Sequence, residues 1–89
     1  MNTSQVKRVT ATGDVTTTDT YLRSVTLTAD SDAATLVVRA GGASGTVVFT
    51  LKTSAASTIL VPEFHDAFCP GGVHATFTGT SPEATFVYV

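Results

Sequence analysis

The residue types able to do chemistry gather in one short stretch. Glu63, His65, Asp66 and Cys69 fall within seven positions, and His74 follows after a Pro-Gly-Gly turn. As metal ligands they offer imidazole, carboxylate and thiolate. The spacing supplies neither a second cysteine nor a paired-histidine motif, so it matches no standard zinc pattern. As a catalytic set, Cys69 would be the nucleophile, His65 or His74 its base and Asp66 the orienting group. Nothing around them marks an oxyanion hole, and Pro70-Gly71-Gly72 reads equally as a hairpin turn. The bland reading is a polar loop holding an inert thiol between Phe64 and Phe68. We adopt it: no catalytic residue, no cofactor site and no metal site is assigned, and the chain is not read as an enzyme. Gly41 to Gly45 lacks the Gly-Lys-Ser/Thr ending of a phosphate loop and precedes no helix pattern.

The elements around this stretch read as strands throughout. Period-two alternation recurs from end to end, and long helix-period runs are absent. A first strand spans about Gln5 to Thr12, with Val9 and Ala11 inward, and Thr12-Gly13-Asp14 signals a turn. Tyr21 to Thr28 follows, with Tyr21, Val25 and Leu27 on one face. Leu22 and Arg23 are out of phase, which predicts a bulge near Leu22 or an edge in that half. Thr35–Ala40 and Thr46–Thr53 flank a glycine-rich turn and form the clearest hairpin. Val47, Phe49 and Leu51 are placed inward and Val48, Thr50 and Lys52 outward. Thr58–Val61 ends at Pro62, since proline cannot donate to a central ladder. A short strand or one helical turn is expected around Phe68, then strands at Val73–Thr78 and Ala84–Val89.

Seven or eight short strands with turns every 8–12 residues predict an all-β, antiparallel sandwich of jelly-roll or Greek-key type. An immunoglobulin core is disfavoured because the chain has no tryptophan and one cysteine. We expect one domain over residues 9–89, with residues 1–8 an N-terminal arm running into the first strand. With 89 residues the core is small, and one thiol cannot close a disulfide within the chain. Oligomerisation is the remaining common source of stability.

Charged residues make up 13% of the chain, about half the usual share, so threonine, about a fifth of the sequence, must cover the surface. The five basic residues are scattered, which argues against nucleic-acid binding. No apolar stretch reaches the length of a membrane-spanning helix. The first residues lack the apolar segment of a secretory leader, so assembly in a reducing cytoplasm is expected. Val37, Val48, Leu60 and Val87 are apolar at outward positions, and Phe64 and Phe68 lie outside the alternation. These six are the candidate interface.

Several segments together carry a resemblance. They are Ala-Thr-Gly-Asp-Val at 11–15, Leu-Arg-Ser-Val-Thr-Leu-Thr at 22–28, Ala-Thr-Leu-Val-Val-Arg at 34–39 and Gly-Thr-Val-Val-Phe-Thr-Leu-Lys at 45–52. Pro-Gly-Gly-Val-His-Ala-Thr-Phe-Thr-Gly at 70–79 and Ala-Thr-Phe-Val-Tyr-Val at 84–89 complete the set. Their order resembles the small β-sandwich virion proteins of tailed bacteriophages that decorate capsids or form head fibres. The resemblance implies a capsid decoration (cement) protein, a homotrimer bound to the major capsid protein or another virion protein and assembled in the host cytoplasm. It assigns nothing to the Glu63–Asp66 stretch. The alternative is a carbohydrate- or receptor-binding module of a phage fibre or tail. That role needs an exposed aromatic platform, for which Tyr21, Phe64, Phe68 and Tyr88 are the available residues.

Overall fold

A computed structural model describes residues 3–61 and 67–89, Val61 in its backbone alone. Among the described residues there are nine strand segments: β1 (Gln5–Val9), β2 (Gly13–Asp14), β3 (Thr20–Thr28), β4 (Ala34–Ala40), β5 (Thr46–Thr53), β6 (Thr58–Val61), β7 (Ala67–Cys69), β8 (Val73–Thr78) and β9 (Glu83–Tyr88). Their pairings are nested. β1 pairs with β9, β2 with β8, β3 with β6 and β7, and β4 with β5, all antiparallel. The chain is thus one long antiparallel ribbon, folded back at the β4–β5 hairpin. Rolling that ribbon brings β9 beside β3 and β8 beside β4. Two sheets result, β1-β9-β3-β6 with β7 also on β3, and β2-β8-β4-β5. Because β6 and β7 occupy successive lengths of one edge of β3, the nine segments fill eight positions. This is the strand order of a jelly roll, one of the two sandwich types the sequence predicts. Among the described residues there is no helix, hence none long and apolar enough to cross a membrane.

The core lies between the sheets. The first contributes Leu22, Val25, Leu27, Ala84 and Phe86, and the second Ala34, Leu36, Val38, Val73 and Ala75. Phe49, Phe77 and Tyr88 pack against this cluster, as their phases predict. Thr and Val dominate the strands because a branched Cβ suits a pleated, half-buried surface. The glycines act at the turns. A Cβ on Gly72 (φ +105°) would stand 2.4 Å from the Thr16 carbonyl oxygen. Only glycine permits both that approach and that backbone conformation.

Two bulges correct the expected faces. In β3 the register with β9 slips between Leu22 and Ser24, so Arg23 is the extra residue of a bulge. A bulge inverts the alternation. Leu22 is therefore fully buried, and Tyr21, expected inward, turns outward. The bulge anticipated near Leu22 is present. In the β4–β5 pair the register slips between Val38 and Arg39, so Val48 is the extra residue. Val47, expected inward, then stands opposite Arg39 on the outer side and is 48% exposed. Ala11, also expected inward, is exposed beyond the end of β1. Gly13-Asp14, read as a turn, forms a short strand on β8. Val15 and Thr16 extend that contact, since both donate to the Val73 carbonyl.

Candidate interaction surface

The structure separates the residues that chemistry would need together. Cys69 lies in the core opposite Thr20, and its thiol reaches the Ala67 carbonyl at 3.9 Å. Burial pushes that thiol up from its ordinary pKa, which disfavours the reactive thiolate. His74 belongs to the outer face of the other sheet. Its Nδ1 is 2.9 Å from Asp14 Oδ1, a partner 60 positions earlier in the chain. In register, Asp14 flanks His74 on one side and Arg39 on the other. This row buries the imidazole although it points away from the core. Glu63, Phe64, His65 and Asp66 lie outside the described residues. Among the described residues, no three of His, Cys, Asp and Glu gather as metal ligands would. Two recesses, of about 360 and 310 Å³, open between strand ends, and threonine, alanine, serine and charged residues line them.

What the fold does assemble is an apolar outer face on the sheet β1-β9-β3-β6. Phe68 is opposite Tyr21, which exchanges backbone hydrogen bonds with Val89. The next row runs Ser24, Val87, Val6, and the one after it Leu60, Thr26, Thr85, Arg8. Val6 is 68% exposed, Leu60 55%, Phe68 51% and Tyr21 45%. The Tyr21 and Phe68 rings lie 5.0 Å apart, tilted by 33°. Arg8 closes a 2.6 Å ion pair with Glu83, so these two charges cancel within the face. That contact holds the Glu83 carboxyl below its ordinary pKa and the Arg8 guanidinium above its own.

The predicted interface residues divide between the two outer faces. Leu60, Phe68 and Val87 share the first sheet, where Val87 is half-buried. Val37 and Val48 belong to the second, with Val37 half-buried between Thr50 and Thr76 and Val48 38% exposed. The six-residue interface set read from the sequence omits Val6 and Tyr21, although Tyr21 is among the residues offered for an aromatic platform. The parity of Val9, on a strand that begins at Gln5 as expected, marks Val6 as outward. For Tyr21 the signal was the dephased Leu22. No protein-family model matches this chain, and no curated protein or solved structure matches it.

Proposed function

We propose that the chain is a structural virion protein, a decoration (cement) protein that coats and stabilises a phage head through protein–protein contacts. In this reading copies assemble, as a homotrimer, against the major capsid protein. The apolar outer face of Val6, Tyr21, Leu60 and Phe68 carries the proposal. Large exposed apolar residues on neighbouring strands of a low-charge domain mark a surface that another protein covers. The jelly-roll order supports the reading as an architecture shared with viral capsid proteins. Lectins use it too, so fold alone does not decide. The cadence of strand and turn segments adds the resemblance to phage head proteins. Many weak contacts repeated around symmetric sites give strong collective attachment. The test is to add the purified chain to undecorated heads and image them by electron microscopy. Regular density at symmetric positions is expected. Heads that stay bare at saturating protein refute the reading.

The Tyr21–Phe68 pair favours a second reading, a carbohydrate- or receptor-binding module. Two adjoining exposed rings form the platform such a module needs. Glycan binding that is lost in Phe68→Ala, with bare heads in the first experiment, would select it.

A further inference from the structure

The two broad faces of the sandwich differ in kind. The outer face of β2-β8-β4-β5 carries Asp14, His74, Arg39, Thr76 and Lys52 beside Val37, Val47 and Val48, with hydrogen bonds already closed among the first four. The outer face of β1-β9-β3-β6 presents exposed Val6, Tyr21, Leu60 and Phe68, and its Arg8–Glu83 pair is internally neutral. We infer that the second face is where another copy of this chain packs, with Tyr21 and Phe68 within the contact. The inference rests on the reading of the chain as an assembly protein, and it names the surface that does the assembling.

Three observations select a second copy as the occupant. The first is size. The molecule measures 39 × 27 × 17 Å, so a broad face can bury the ~800 Å² per partner of a standard interface. The second is shape. A sheet face complements another sheet face, whose side chains interdigitate at a spacing of ~10 Å. A copy supplies such a face with the same twist. The third is charge. Arg8 and Glu83 cancel within each copy, so that pair calls for no counter-charge from its partner. The aromatic pair supplies large side chains for such a contact, and truncating an aromatic anchor commonly costs a factor of ten or more in affinity.

Sedimentation velocity of the purified chain across a concentration series tests this in the absence of any particle. The wild type should form a discrete oligomer. Phe68→Ser should weaken association by about tenfold or more, and Leu60→Thr and Val6→Thr should each weaken it by a smaller, several-fold factor. Val37→Thr, on the opposite face, should leave it unchanged. Circular dichroism checks folding. If Phe68→Ser disturbs β7, the substitutions on β6 and β1 decide. A wild type that stays monomeric up to ~100 µM, a concentration that reveals contacts of about that Kd, overturns the inference. So does an oligomer that Leu60→Thr and Val6→Thr leave intact, or one that Val37→Thr dissociates. None of these results depends on whether the chain decorates a head, so the virion assignment can fail or stand separately.

Discussion

The β3 bulge makes a prediction that strict alternation inverts. Counting back in twos from Leu27 and Val25 puts Arg23 and Tyr21 in the core and Leu22 outside. The structure does the opposite, with Leu22 fully buried and Tyr21 45% exposed. Leu22→Ala should therefore leave a cavity between the sheets and cost about 2–5 kcal/mol. Tyr21→Ala removes a surface ring and its contact with Phe68. It should cost about 1 kcal/mol, combining a near-neutral surface change with one aromatic pair. Total stability for this length is on the order of 4–13 kcal/mol, so the Leu22 variant loses a large fraction of it. Urea unfolding followed by circular dichroism reads the difference, at concentrations low enough for a monomer. With an m-value of about 1 kcal/mol/M, the Leu22→Ala midpoint falls by at least ~2 M and the Tyr21→Ala midpoint by about 1 M. Equal losses, or a greater loss for Tyr21→Ala, would refute the bulged register and return β3 to plain alternation.

Other outcomes follow from the same geometry. Cys69, buried and with its thiol pKa raised, should resist a thiol-specific reagent in the native protein and react at once in urea. Because the folded state favours the neutral thiol, that contribution to stability is complete below the unfolded thiol pKa. It is lost as pH rises through the folded value, so alkaline pH should destabilise wild type more than Cys69→Ala. Glu83 has the opposite sign. Its lowered pKa favours the folded state above the ordinary carboxylate range, and the benefit is lost as pH falls through the folded value. Arg8→Gln should raise the Glu83 pKa in a carboxylate NMR titration, and added salt should shrink the difference between the two proteins. Ala56 sits at φ +55°, so Ala56→Gly should raise the thermal midpoint, by up to about 1 kcal/mol in stability. Gly72→Ala should lower it, because its Cβ meets the Thr16 carbonyl.

Much of the fold is written locally. Alternating Val, Thr and aromatic residues define β3 to β5, β8 and β9, and the glycine-rich stretch between Ala40 and Thr46 turns the chain into the innermost hairpin. These features need only near neighbours, because the period of a strand and the φ demands of a turn are properties of a few consecutive residues. An antiparallel sandwich of jelly-roll or Greek-key type followed from their number and spacing. The dephasing of Leu22 even marked where β3 must bulge.

The rest required distant partners. Two residues carry no period, so β2 exists only because β8 lies beside it. Val48 becomes a bulge through its register with Val38 and Arg39, and nothing in the alternation of β5 betrays it. His74, grouped in sequence with Cys69, is bound instead to Asp14 on another strand and faces away from the thiol. Val6, Tyr21, Leu60 and Phe68 come from four segments, and the rolled ribbon alone sets them on one face. Local sequence determined which stretches are strands. The tertiary fold decided which way their side chains point, because facing is fixed by cross-strand register, and one inserted residue reverses it.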